Sequence, residues 1–595
     1  MSGNGVSAVS VESEFTNISR NDFPSDFIFG TSTSAYQVEG AASEGGRGPS
    51  IWDVFALQTP DRIVDGSSGD VAADMYHKYE DDFRMMQAMG LDSYRFSISW
   101  SRVLPKGKIS LGINQEGVDF YNKMINSLID KGIEPIVTLF HWDLPQFLQQ
   151  EYGGFMSENI VKDYVDYAEL CFRHFGDRVK KWVTLNEAYM FATFGYVIGI
   201  YAPSRPQPIF QYGTKEDILI HSNYIQEVYT VGRNLLLAHG KAVQSYRTKF
   251  QKQQKGIIGM IISSNWNEPY SDKPEDIAAN QRATDFQIGW FLEPVLGGQY
   301  PASMLELVSP ENLKPFTEEE SKLLKGSIDF LGLNYYTSYY VADNPHPTKA
   351  TPFDFDQKVS TLIERDGCQQ IGPLAPGSIW LYIVPWGIRK LLNYMKNKYE
   401  NSTYNLPTIY ITENGVTQPN DGRLTAEEAC NDPWRENYFR DHIQNVLLAI
   451  KEDRVNVKGY FVWSWCDNFE WNSGYTVRMG MVYVDYLDNQ KRYLKQSAKW
   501  YAKFLTKNDP QEKTAAVRGT RTMLSEAVRI CLEGVCRRVG KCCRSRDLLL
   551  LFHRHDEKII ESVRLTRKPQ SRECLVYLSV CLVIFLIFSV CVHTF

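Results

Sequence analysis

From about Asn21 to Leu505, short apolar and β-branched runs alternate with longer stretches of helical character. That alternation is the pattern of a parallel sheet with crossover helices. Eight runs read as strands: Phe27–Thr31, Ser93–Ile98, Pro135–Phe140, Trp182–Leu185, Ile257–Ser263, Phe330–Asn334, Thr408–Thr412 and Lys458–Trp463. Between them, Tyr76–Met89, Gly117–Lys131, Glu158–Phe175 and Ile388–Tyr399 read as helices. The predicted fold class is α/β, a (β/α)8 barrel in a single catalytic domain.

Each predicted strand runs into a polar or aromatic cluster at its C-terminal end. These are Gln37, Arg95 with Trp100, His141-Trp142-Asp143, Asn186-Glu187, Asn265-Trp266, Asn334-Tyr335-Tyr336, Glu413-Asn414, and Trp463 through Asp467. Barrel enzymes build their sites at that face, so eight such clusters in succession point to chemistry rather than packing. Glu187 ends the fourth strand and Glu413 the seventh, which face each other across an eight-stranded barrel. Cleaving a glycosidic bond with retention needs two carboxyls about 5–5.5 Å apart, one protonated to help the leaving oxygen depart and one ionised to attack. Either glutamate alone would serve a salt bridge equally well.

Composition changes the picture little. The chain holds 13 Trp, 34 Tyr and 31 Phe, which suits an aromatic ligand cleft and equally a large aromatic core. A formal charge of −6 argues against nucleic acid as a partner. Cys171, Cys368, Cys430 and Cys466 show neither disulfide nor zinc spacing, so no metal is expected. The first residues lack the apolar run of a secretory signal.

The C-terminal end differs from the rest. Residues 507–573 are basic and without period, and read as a linker; 1–20 read as a flexible N-terminus before a domain over 21–506. Leu575–Val592 is uncharged and near the lower length limit for a bilayer span, and Arg564, Arg567, Lys568 and Arg572 precede it. The pattern predicts a transmembrane tail over 574–595, with the domain facing the cytosol from the endoplasmic reticulum membrane. Cytoplasm or nucleus is the alternative location.

The segments FIFGTSTSAYQVEGA, GRGPSIWD, YRFSISWSRVLP, VTLFHWDLPQ, WVTLNEA, FLGLNYYTS, IYITENG and GYFVWSWCDNFEW resemble glycoside hydrolase family 1, in that family's order. The general pattern is most similar to the plant alkaloid-glucoside β-glucosidases, the strictosidine and raucaffricine type. The resemblance implies a small-molecule β-glucoside as partner and no cofactor, and places Glu187 as acid/base and Glu413 as nucleophile. It puts Gln37, His141, Asn186, Trp463, Glu470 and Trp471 on the glycone. Arg95 and Asn334 support the nucleophile; Tyr336 hydrogen-bonds the nucleophile and reaches the substrate. A plain ion pair remains open for Arg95. Tyr189, Met190, Phe191, Phe194, Trp380 and Trp386 would line the aglycone side, where two Trp suit a flat and even cationic aglycone; packing at a loop base is the alternative for Trp386. A carboxylate at position 470 would repel a sugar phosphate.

The chain also departs from the family. Ala188 stands where the family has Pro, which frees an N–H and predicts a looser turn after Glu187. Met479 and Met481 replace aromatic or aliphatic residues and predict a permissive mouth. A transglucosidase, or a catalytically impaired membrane-tethered binding protein, stays open at this point. A homo-oligomer is compatible with the sequence.

Overall fold

Eight parallel strands close on themselves in chain order: β1 (Ile28–Ser32), β2 (Ser93–Ser97), β3 (Glu134–Phe140), β4 (Lys181–Asn186), β5 (Ile257–Ser263), β6 (Phe330–Asn334), β7 (Thr408–Asn414) and β8 (Val457–Trp463). This computed structural model describes residues 18–206, 210–211, 222–347, 349–367, 369–400, 404–420 and 422–506. The barrel closes where β1 pairs with β8 (Ile28 opposite Gly459) and with β2 (Gly30 opposite Ser93). Gly30 is required there, because a Cβ would collide with the Phe461 ring and the Ser93 carbonyl. Inside the barrel Ile136, Val183, Ile261, Phe330, Tyr410 and Phe461 form one buried layer, so the lumen is a packed core that supports the mouth.

The helices form because their apolar residues recur every three or four positions. Gln115–Asp130 buries Val118, Tyr121, Met124, Ile125 and Leu128 along one face. Met75–Met89 buries Phe83, Met86 and Met89 and stops at Gly90, whose φ of +77° lets its N–H reach back to the Met86 and Gln87 carbonyls. The predicted strands and helices match these elements to within a few residues; the largest strand difference is β7, which runs on through Glu413 and Asn414.

Two features are absent from the sequence reading. A three-stranded sheet of Trp266–Pro269, Ser338–Asp343 and Val359–Leu362 joins the loops after β5 and β6. Its strands are short and half-polar, so no period marks them. Arg20, assigned to a flexible terminus, is buried and bonds both Asp92 oxygens at 2.6 and 2.8 Å, so it belongs to the folded domain; residues 1–17 of that predicted terminus lie outside the described residues.

Among the described residues no helix is long and apolar enough to cross a membrane. The predicted linker and tail, 507–573 and 574–595, lie outside them.

Candidate active site

Glu187 and Glu413 both reach the barrel mouth because β4 and β7 are irregular just before them. β4 gains a residue against β5 between Val183 and Asn186, and β7 gains one against β6 between Ile411 and Glu413. Such bulges re-aim side chains next to active sites. Glu187 then adopts a left-handed backbone, φ +48°. A non-glycine residue held there costs roughly 1–3 kcal/mol, so it persists only where its surroundings fix it. Its N–H donates to Ile261 O (3.0 Å) and its carbonyl accepts from Phe191 N–H (3.1 Å). The backbone is thus tied on both sides of Glu187, and Ala188, the first residue of the helix Ala188–Thr193, leaves the turn anchored rather than loose.

Both carboxyls are buried, at 6% and 4% exposure. Burial first, and the neighbouring Glu413 second, push Glu187 up to about 8. Burial also raises Glu413, but Arg95 opposes it directly: Arg95 Nη1 bonds Glu413 Oε1 at 2.5 Å. Tyr336 donates to the other oxygen at 2.7 Å. Glu413 is therefore the member of the pair that ionises first, and Glu187 the member that keeps its proton. Asn334 donates to Glu187 Oε1 (2.7 Å), while Thr412 fixes its carbonyl at 2.7 Å. Arg95 is held in turn by Thr138 (3.0 Å) and Asn186 (2.6 Å).

The residues expected on the glycone converge around this pair. Asn186 donates to His141 Nε2 at 3.0 Å, so the His141 proton sits on Nδ1. Burial and Arg95 keep His141 neutral, and Nδ1 has no hydrogen-bond partner among the described residues. Trp463 stacks on His141 with ring centres 5.8 Å apart, and Trp471 does so at 6.1 Å. Gln37 donates to Asn468 Oδ1 and Phe469 O and lies 3.4 Å from Glu470 Oε2. Glu470 departs from expectation. Burial and then Glu413 push it up to about 8, so near neutrality it can present a proton as well as a lone pair to a sugar hydroxyl.

Sequence reasoning missed an aromatic cluster beneath these residues. Tyr201 packs on Trp52, Trp142 and Trp471 at 5.4, 5.4 and 6.1 Å, and its phenol feels Glu470 and Glu187. Trp142, with φ +74°, donates to Asn186 O at 3.0 Å. Trp142 was visible in the His141-Trp142-Asp143 cluster; Tyr201 carried no signal.

The expected aglycone residues divide. Trp380 is 44% exposed and stands edge-on to Tyr336, centres 6.0 Å apart. Phe194 packs on Tyr201 (4.9 Å), and Tyr189 on Trp290 and Phe353 (6.2 and 6.4 Å). Met190 is half-buried against the core. Phe191 is corrected: it is 2% exposed and packs among Phe140, Phe155 and Tyr196, so it is core rather than wall. Trp386 keeps 37% exposure, but Lys390 sits 4.8 Å from its ring centre, one turn along the helix Pro385–Met395, and pairs with Glu268. An indole face already under an ammonium does not attract a second cation. Met479 and Met481 are buried, so they are not part of a permissive mouth.

Residues 19–510 match the family described as Glycosyl hydrolase family 1. The chain belongs to glycosyl hydrolase family 1. Beta-glucosidase 24 of Oryza sativa subsp. japonica is 50% identical to it over 82% of this chain and 94% of that protein. Raucaffricine-O-beta-D-glucosidase of Rauvolfia serpentina is 49% identical over 84% and 94%. A crystal structure of a rice β-glucosidase superposes with TM-score 0.77 at 44% identity, covering 82% of this chain and all (100%) of that one. As a member of family 1 the chain is a glycoside hydrolase.

Proposed function

We propose that the chain is a retaining β-glucosidase acting on the β-O-glucoside of a hydrophobic plant specialised metabolite, through a covalent glucosyl-enzyme. The observation that carries the reading is the unequal pair: Glu413 held by Arg95 and Tyr336, Glu187 kept protonated by burial and by Glu413. Glu187 protonates the departing oxygen while Glu413 attacks the anomeric carbon. Once Glu413 is esterified its charge is gone, the Glu187 pKa falls, and Glu187 takes the proton of the attacking water. His141 Nδ1 and Glu470 offer donors to sugar hydroxyls, and Trp463 gives the sugar an apolar face. A mutant of the related rice enzyme has been captured in a covalent complex with glucose, which supports the same route here.

The similarity to raucaffricine glucosidase and the exposed Trp380 support a monoterpenoid indole alkaloid glucoside such as strictosidine. The reading also places the domain at the endoplasmic reticulum membrane, supported by the uncharged run Leu575–Val592 and the basic residues before it. Alkaline carbonate extraction tests that part, and release into the soluble fraction contradicts it.

The test of the chemistry is Glu413→Gly. Turnover of p-nitrophenyl β-glucoside and of strictosidine should vanish, and azide with an activated substrate should restore it with an inverted product. Absence of rescue in a folded variant would contradict the assignment of Glu413.

A further inference from the structure

The loop from Trp463 to Trp471 carries Trp463, Glu470 and Trp471, and it also receives the Gln37 amide through Asn468 and Phe469. In its middle lies Asp467, whose side chain has no exposed surface (0%). Its four contacts fill both oxygens. Oδ1 accepts from Lys495 Nζ (2.7 Å) and Gly480 N–H (3.1 Å). Oδ2 accepts from Arg478 Nη1 (2.7 Å) and Val484 N–H (3.3 Å).

Both cations are fixed elements of the scaffold. Arg478 lies 4.1 and 4.9 Å from the ring centres of Tyr483 and Tyr486, and donates to Asn420 Oδ1 at 3.0 Å. Lys495 caps the helix Gln496–Leu505, is wholly buried, and bonds Gln418 Oε1 at 3.1 Å. Burial opposes the Asp467 charge, yet Lys495 and Arg478 together hold its carboxyl below the usual range. Burying a charge with two cations is worth little as stability when a packed apolar core would serve as well. What the arrangement supplies is a fixed direction for the loop, three residues before Glu470.

We propose that Asp467 is a positioning residue for glycone recognition, acting through Glu470 by pinning the Trp463–Trp471 loop to Lys495 and Arg478. This rests on the glucosidase reading and on Glu470 contacting the sugar.

The test is a double-mutant cycle on the full chain with p-nitrophenyl β-D-glucoside. Asp467→Asn should lower kcat/KM by roughly tenfold or more in the parent, and by no more than about twofold when added to Glu470→Ala, because residues acting as one unit are not additive. Lys495→Arg, which keeps the cation, should retain most of the activity that Lys495→Met loses. If Asp467→Asn does not unfold cooperatively, Lys495→Met, which leaves the Arg478 pair, takes its place in the cycle. Equal fold-losses in both backgrounds would overturn the positioning role and leave the glucosidase reading standing. A Glu470→Ala variant with parental kcat/KM would remove Glu470 from the glycone and the proposal with it.

Discussion

A general acid kept protonated at neutrality by burial should be a measurable strain on the fold, and Glu187→Gln isolates it. The Glu187 carboxyl is shifted from 4.5 to about 8 on folding, so between those values the folded state binds the proton more tightly than the unfolded chain does. Stability therefore falls as pH rises through that window, by about 1.4 kcal/mol per unit. The cost of holding Glu187 is nil near pH 4, roughly 3 kcal/mol at pH 7 and roughly 5 kcal/mol above pH 8. Glutamine has the same shape, never ionises, and keeps the Oε1 that accepts from Asn334. The variant should match the parent near pH 4 and exceed it increasingly above. For a domain of ~490 residues the unfolding entropy is of order 1 kcal/mol/K, so the gain is ~3 °C at pH 7 and ~5 °C above pH 8. Thermal unfolding of both proteins at these three pH values reads it directly. The parent should also lose kcat/KM with an alkaline limb near pH 8, and the variant should not turn over. A stability difference independent of pH, or one favouring the parent at pH 7, would refute the assignment of the raised carboxyl to Glu187.

Three further outcomes follow from the geometry. Arg95→Met removes the cation that holds Glu413 ionised; the acidic limb of kcat/KM should move to higher pH, the rate at neutrality should fall because less Glu413 is ionised to attack, and the fold should lose about 3–5 kcal/mol from the broken buried ion pair. An unmoved acidic limb would mean that Glu413 ionises without Arg95. Phe191→Ala, emptying a core position, should lower stability by roughly 3–5 kcal/mol without reordering preference among aglycones, as a panel of aryl glucosides would show. Lys390→Ala uncovers the Trp386 face, and KM for a cationic aryl glucoside should drop about two- to fivefold relative to its neutral analogue. An unchanged ratio would place Trp386 away from the aglycone.

Much of this protein was legible from local pattern. Most barrel strands are β-branched or apolar runs long enough to cross the sheet, and their C-terminal ends are marked by the change to polar and aromatic residues. That is why Glu187, Glu413, Asn334, Arg95 and His141 could be placed at one mouth without coordinates, and why the family motifs fell on the same residues. What escaped was whatever depends on neighbours distant in the chain. Lys495 meets Asp467 across 28 residues and no spacing announces the pair, while Arg95 was placed beside Glu413, 318 residues away, only through the resemblance to the family. Phe191 and Trp386 show the same limit from the other side. An aromatic residue near the site reads alike whether it faces a ligand, a core or a lysine, and only packing decides: Phe140, Phe155 and Tyr196 claimed the first, and Lys390 the second. Glu470 was identified by its motif, but its protonation was not. The sequence by itself determined the barrel and the two carboxyls, because strand period and strand ends are local properties. The tertiary structure alone decided what keeps the proton on Glu187, because burial and the closeness of Glu413 and Arg95 exist only once the barrel has closed.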